Sequence, residues 1–455
     1  MELLDPWGHQ QSAADWLDDR LFGFLAHEMG CGKTRSVLIA LKNKRLVLVV
    51  CPIAVGAAWA KQVSLFDAGR QAVVVVEGSA KVRAAKIREA SNAGKPVVVV
   101  INYDAVWRGD VAKAVESVQW DAIVLDESHR IKSPTGKATK WLSKLAVKQP
   151  TAKRICLSGT PTPNNPLDWW GQFLFLCPEV LGKSFTAFRA RIANVHPRYP
   201  GWVTGFREAD LAALKNRIDP HIHRVKAEEV LTLPDTIHEH IPVTLGKRTE
   251  KFYRDLEEEM IAKFDNGDVV TAANPMVVVN RLHLAASGFA RVDGSDVFTA
   301  IDGVSDKRLA LREFLEDFPK HEPLVVFVKF IEDLKEVAAE CRQSGRSVSV
   351  LCGATKQLEE WQQGETDVIV VQQQAGGSGV DLVRACYCVY YSLSHSLGDY
   401  QQSLARLHRP GQTKCCRYYH IVATGTVDET IYEALREKRD VVESILSNLT
   451  RRAFA

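Results

Sequence analysis

Short apolar runs alternate with longer stretches of helical spacing along the chain. In the first half the runs are Phe22–Ala26, Leu46–Val50, Val73–Val76, Val97–Ile101, Ile123–Leu125 and Ile155–Leu157. In the second half they are Leu324–Val328, Val348–Leu351, Val368–Val371, Val389–Tyr391 and Tyr419–Val422. They are rich in β-branched residues and lack polar alternation, the pattern of strands buried on both faces of a parallel sheet. Helical spacing fills Ala80–Ala93, Ile331–Gly345 and Ser396–Leu407. Strand–helix alternation predicts α/β units. Two such series, separated by a stretch without them, predict two lobes.

The separating stretch runs from about Pro178 to Asp306. It holds a charged helical segment, Lys247–Phe264, a break at Asn266-Gly267-Asp268, and an apolar helical segment, Val277–Leu284. It reads as a helical insertion plus the connection between lobes. Further on, Thr426 and Glu429 stand at capping-box spacing. Ile431, Leu435, Val442, Ile445 and Leu449 follow at helical spacing, so a long terminal helix should pack back on the body. The expected division is residues 1–177 for the first lobe, 178–305 for the insertion and connection, 306–425 for the second lobe and 426–455 for the terminal helix.

Composition narrows the class. The 455 residues suit two large units, since a domain takes about 150 residues. With 46% hydrophobic and 25% charged residues, the chain is globular, not collagen-like, coiled-coil or disordered. No apolar run approaches the roughly 18 residues of a membrane helix. The acidic opening Met1-Glu2-Leu3-Leu4-Asp5-Pro6 does not read as a signal peptide. A net charge of +3 argues neither for nor against nucleic acid, because the field near a site decides that. The ten cysteines show no C-x-x-C spacing, only Cys386-x-Cys388 and Cys415-Cys416. A reduced cytoplasmic setting without a zinc site is expected. His221-x-His223 and His238-x-His240 have no cysteine or carboxylate pattern to complete a metal site, and their alternation suits strands or connecting loops.

Two segments carry chemistry. Met29-Gly30-Cys31-Gly32-Lys33-Thr34 follows the first strand and enters the helical Arg35–Leu41. Such a loop points backbone N–H groups and a helix N-terminus at an anion. Lys33 is placed to neutralise β/γ-phosphates and the Thr34 hydroxyl to ligate Mg²⁺. The first glycine of the strict pattern is replaced by His27. An ordinary glycine-rich turn would not need the Lys-Thr pair. Asp126 and Glu127 end the fifth apolar run, where ligands of open α/β sheets bind. Asp126 is placed to hold Mg²⁺ and Glu127 to deprotonate the attacking water.

These segments, in this order, resemble a Swi/Snf-type ATPase of helicase superfamily two, over nearly the whole chain. His9-Gln10 with Trp16-Leu17 is similar to the family's adenine-contacting segment. The loop Met29 to Thr34 resembles its phosphate loop. Cys51-Pro52 with Trp59, Ile101-Asn102-Tyr103-Asp104, Asp126-Glu127-Ser128-His129 with Arg130-Ile131-Lys132, and Leu157-Ser158-Gly159-Thr160-Pro161 with Asn164-Asn165 resemble the following motifs. In the second half, Val325-Val326-Phe327 and Gly353-Ala354-Thr355 are weaker matches. Ala375-Gly376-Gly377-Ser378-Gly379-Val380-Asp381-Leu382 and Gln402-x-x-x-Arg406-x-x-Arg409-x-Gly411-Gln412 are strong ones. His27 and Cys31 depart from the usual acidic residue and leucine.

The resemblance implies two RecA-like parallel-sheet lobes that take ATP and Mg²⁺. It places His9, Gln10, Met29, Gly30, Cys31, Gly32, Lys33, Thr34, Gly379 and Asp381 at the nucleotide, and adds Arg406 and Arg409 to Lys33, Asp126 and Glu127 as catalytic groups. It implies translocation on double-stranded or forked DNA, with Lys61, Asn102, Ser158, Thr355 and Ser378 as DNA contacts. It further suggests a minimal bacterial or phage motor, cytoplasmic and monomeric, which a protein partner could target. The rival expectations are an RNA or single-strand helicase of the same superfamily and a nucleotide-gated DNA clamp that recruits a partner.

Overall fold

The computed structural model describes residues 5–66, 72–163, 165–195, 203–265, 274–291, 298–376, 380–438, 441 and 444–445. The expected break Asn266–Asp268, together with Gly377, Ser378, Gly379, Asn164, Val442 and Leu449, lies outside them. The strands are β1 Phe22–His27, β2 Leu46–Cys51, β3 Ala72–Val75, β4 Val97–Asn102, β5 Ala122–Asp126, β6 Lys153–Leu157, β7 Ala193–Val195, β8 Val203–Phe206 and β9 Ile222–Val225. They continue as β10 Thr236–Val243, β11 Phe289–Arg291, β12 Phe298–Ala300, β13 Leu324–Val328, β14 Val348–Leu351, β15 Val368–Gln372, β16 Tyr387–Tyr390 and β17 Cys416–Ala423.

Two large sheets form, of order β3-β4-β2-β5-β6-β1-β9 and β10-β17-β16-β13-β15-β14, beside the two-stranded sheets β7-β8 and β11-β12. Every pairing within the two large sheets is parallel. The chain forms two compact units, residues 1–194 with 205–232, and residues 195–204 with 233–455.

Burial on both faces explains the runs without polar alternation. In the first unit Val47, Val49 and Cys51 enter one core with Ala13, Leu17, Val37 and Trp59, while Leu48 and Val50 are buried without joining it. In the second, Val325, Phe327, Ile369 and Val371 join Tyr253, Leu282, Trp361 and Ile431. Their alternates Leu324, Val326, Val368 and Val370 join Leu311, Leu315, Val337 and Cys341. Both faces of a parallel sheet are thus covered, as crossover connections require.

The stretch between the two series contains the expected helices, Lys247–Asp265 and Asn274–Ala286. It also contains β9 and β10, which pair with β1 and β17 and end the two sheets. His223 lies on β9, and His238 and His240 on β10. The terminal helix begins at Val427 and is described without interruption to Arg436; Lys438 then takes a left-handed φ of 57°, and Val441, Ser444 and Ile445 are again helical. Val441 and Ile445 beyond it are buried in the same core as Ile431 and Leu435. Thr426 caps this helix through the Asp428 N–H, and Glu429 accepts from the Gly425 N–H. All ten cysteines are free thiols. Among the described residues no helix is long and apolar enough to cross a membrane.

Candidate active site

The phosphate loop forms where β1 ends. Gly30 and Gly32 adopt positive φ, 83° and 72°, a region in which only glycine is unstrained. Gly32 then becomes the N-cap of the helix Lys33–Ala40. Lys33 Nζ donates to the carbonyl oxygens of His27 (2.9 Å) and Glu28 (3.3 Å). The lysine thus occupies the loop's own acceptors, and Thr34 lies half-buried in the first helical turn. A Cβ on Gly32 would stand 2.1 Å from Gln10 Nε2. Gln10 is buried and accepts the Trp7 N–H at 3.0 Å, so it has little room to move. Gly32→Ala combines that clash with left-handed strain of about 1–3 kcal/mol. It is expected to weaken ATP binding by about tenfold or more, read by titration with a fluorescent nucleotide.

His9 and His27 place two rings beside this loop. His9 Nε2 lies 2.8 Å from the Cys31 carbonyl oxygen. His27 Nε2 lies 3.0 Å from His223 Nδ1 on β9. Burial first, then His223, Lys33 and His9, hold the His27 pKa down to about 3. The imidazole is neutral in the fold, whereas in the unfolded chain it protonates near 6.5. Between those values the unfolded chain binds the extra proton, so this contribution is intact above pH 6.5 and is lost as pH falls towards 3. At pH 5.5 it should cost about 1.4 kcal/mol relative to pH 7.5. The difference in unfolding free energy from urea titration between parent and His27→Gln should shrink by that amount; parallel profiles would refute it. Taking a difference also removes Asp333, whose pKa burial raises to about 7 and whose pH dependence runs the other way. Burial pushes the Cys31 thiol to about 11, so it is not a reactive thiolate.

Asp126 and Glu127 terminate β5. Asp126 is buried. Its Oδ2 accepts the Trp59 indole N–H at 2.8 Å and its Oδ1 the Glu127 N–H at 2.9 Å. Its carbonyl oxygen accepts the Tyr103 hydroxyl at 2.9 Å. Burial, with Glu127 beside it, raises the Asp126 pKa above the usual carboxylate range, while Trp59 and Lys33 oppose the rise. Glu127 has a left-handed backbone, φ 52° and ψ 51°, which is uncommon for a side chain other than asparagine or aspartate. Its Oε2 is buried, has no hydrogen bond among the described residues, and lies 3.4 Å from His129 Nδ1.

His129 Nδ1 also lies 3.1 Å from Ser158 Oγ, which accepts the Thr160 N–H at 3.1 Å. The next residue, Gly159, would bring a Cβ to 3.2 Å from Met29 Cγ. The segment after β6 therefore touches His129, two residues beyond Glu127, and the phosphate loop. Ser128 Oγ donates to Gln172 Oε1 at 2.7 Å. Trp169 and Trp170 are buried, Trp169 against Phe24 and Phe173 and Trp170 against Phe185.

Asp126 and Thr34 offer oxygen donors, the type Mg²⁺ takes together with phosphates and water. The buried Oε2 of Glu127, 3.4 Å from His129 Nδ1, has acceptor capacity that could take a proton from water. The residues present fit the ion.

In the second unit, Arg406 ends the helix Leu397–Leu407 and Arg409 follows in the next turn. Arg406 Nη1 lies 3.5 Å from the Val380 carbonyl oxygen, and Arg409 Nη1 4.0 Å from Asp381 Oδ2. Gly411 takes φ 104°. Gln412 is buried and donates to the carbonyl oxygens of Val383 (3.2 Å) and Ala385 (2.9 Å). The Gly-Gln pair thus turns the chain and pins the arginine segment to the one carrying Asp381. Ser378 and Gly379 lie outside the described residues. Of the other DNA candidates, Lys61 is exposed on the helix Gly56–Phe66. Thr355 lies in the turn after β14, Asn102 caps the turn Tyr103–Val106 by accepting the Ala105 N–H, and Ser158 is buried.

A parallel α/β sheet with a phosphate loop after β1 and an acidic pair after β5 defines a nucleotide-binding protein of the phosphate-loop class. The comparisons name the branch. The SNF2-related domain matches residues 9–285 and the helicase conserved C-terminal domain residues 306–411. The first match covers well over half of the chain, which belongs to the SNF2-related family and carries its ATPase core.

An uncharacterized ATP-dependent helicase of Mycoplasma pneumoniae is 24% identical over 96% of this chain and 42% of its own length. Protein p41 of Acyrthosiphon pisum secondary endosymbiont phage 1 is 26% identical over 93% of this chain and 94% of its own. The chain thus spans less than half of the Mycoplasma relative and nearly all of the phage one. The Sulfolobus solfataricus SWI2/SNF2 ATPase core in complex with dsDNA is 23% identical, with a TM-score of 0.45 and coverage of 98% of this chain and 96% of that one.

Proposed function

We propose that the chain is a DNA-dependent ATPase that couples hydrolysis to movement along double-stranded DNA. Glu127 carries the reading. A buried carboxylate oxygen with no hydrogen bond, on a strained backbone beside Asp126, is what a general base for water requires. Lys33 leaves the His27 and Glu28 carbonyls to meet the β/γ-phosphates. Glu127 orients the attacking water and takes its proton. Asp126 and Thr34 would hold a Mg²⁺ ion, which would neutralise charge on the phosphates. Arg406 and Arg409 supply positive charge to the transferred phosphoryl group at turnover.

Family membership supports DNA as the partner, and Lys61 and Thr355 are proposed as phosphate contacts together with Ser378. Asn102 and Ser158 would join them only by sharing the hydrogen bonds they already make. The proposed setting is the cytoplasm of a bacterium or of a phage host, with the chain acting as a monomer. The test is steady-state ATPase rate alone and with duplex, forked or single-stranded DNA or RNA, with Lys33→Ala as the blank. Stimulation by duplex or forked DNA is expected. Stimulation by RNA or single strands alone would overturn the duplex reading.

A further inference from the structure

Trp59 is fully buried on the helix Gly56–Phe66, 67 residues before the aspartate it touches. Three other buried indoles donate to backbone carbonyls: Trp120 to Val115, Trp170 to Gly182 and Trp361 to Asp367. Trp59 instead donates to a carboxylate, at 2.8 Å. Packing alone would be served by phenylalanine in the same core, without a carboxylate buried against it. The bond has a geometric result. With Oδ2 fixed by the indole and Oδ1 by the Glu127 N–H, the carboxyl group is set in one rotamer, and each oxygen keeps a lone pair. The donor and the exposed Lys61 stand two residues apart on one helix.

We propose that Trp59 is a positioning residue for the metal-dependent step. Its indole N–H sets the Asp126 carboxylate for Mg²⁺–nucleotide and ties that carboxylate to the helix bearing Lys61. The proposal rests on the ATPase reading above. Pre-orientation of a donor is what second-shell partners contribute to metal sites, and removing them typically costs 10–100-fold in metal affinity.

The test measures binding of a fluorescent ATP analogue to the full chain, in EDTA and across a Mg²⁺ titration. The variants are Trp59→Phe, which removes the N–H and keeps most of the volume, and Trp59→Tyr as a second removal. Tyr103→Phe is the control, since it removes a buried hydrogen bond to the Asp126 main chain and leaves the carboxylate's partners in place. Thermal melts on the same samples confirm folding. In both Trp59 variants, half-saturating Mg²⁺ should rise about tenfold or more, while affinity in EDTA stays within about twofold; Tyr103→Phe should move neither. Unchanged half-saturation in a folded Trp59 variant would overturn the proposal, as would equal losses with and without the metal. Failure of the ATPase reading is distinguishable, since the parent chain itself would then show no Mg²⁺-dependent binding.

Discussion

Glu127→Gln should slow ATP turnover by about 10²–10⁴-fold while nucleotide affinity stays within a few-fold of the parent. Glutamine keeps the shape and removes the base. Among the described residues the buried Oε2 has no hydrogen bond, only the His129 ring at 3.4 Å, so little else there depends on its charge. A companion variant separates chemistry from stability. Glu127→Gly relieves a left-handed φ of 52°, a strain of about 1–3 kcal/mol, yet should lose turnover to the same degree. A variant that unfolds later and hydrolyses less would show that the fold spends stability to hold this side chain in place. Single-turnover hydrolysis and thermal melts on the two proteins decide it. Turnover in Glu127→Gln near the parent rate would remove Glu127 from the chemistry.

Arg409→Ala should lower the DNA-stimulated rate by about 10³–10⁵-fold, the range for arginine fingers. The guanidinium is held by a 4.0 Å ion pair to a half-exposed Asp381, and exposed pairs of this kind are worth at most about 1 kcal/mol. Stability should therefore change little, and the loss should fall on turnover. Arg409→Lys should not restore the rate, because an ammonium lacks the planar fork. A lysine variant with near-parent activity would mean that charge alone suffices at this position. Gln412 deserves the opposite expectation only for its hydrogen bonds to Val383 and Ala385, which secure the segment rather than reach a phosphate.

The interior strands were legible because a β-branched run buried on both faces leaves no room for polar residues. Leu324–Val328 alternates between two cores, and in Leu46–Cys51 the residues Val47, Val49 and Cys51 enter one core while Leu48 and Val50 are buried beside them. β9 and β10 escaped that criterion because His223 and Arg224 interrupt the first and His238, Glu239 and His240 the second, whereas β3 and β14, which also end their sheets, are apolar enough to be read. β10 reads Thr-Ile-His-Glu-His-Ile-Pro-Val with mostly exposed polar positions, the alternation of a strand covered on one side. In the site, the loop, the acidic pair and the arginine pair were visible as local spacing. The Trp59–Asp126 bond, the left-handed Glu127 and the anchoring by Gln412 were not, because each depends on contacts or dihedrals that spacing does not encode.

The placement of β9 has a consequence for any separated first half of the chain. β1 is an interior strand only because Ile222–Val225 lies along it. A polypeptide stopped before residue 222 would retain the phosphate loop, the acidic pair and the segment after β6, but would leave Phe-Gly-Phe-Leu-Ala-His with an open row of backbone donors and acceptors. Open apolar rows of this kind recruit other chains. Self-association of the nucleotide-binding half is thus governed by four residues that belong to no catalytic motif.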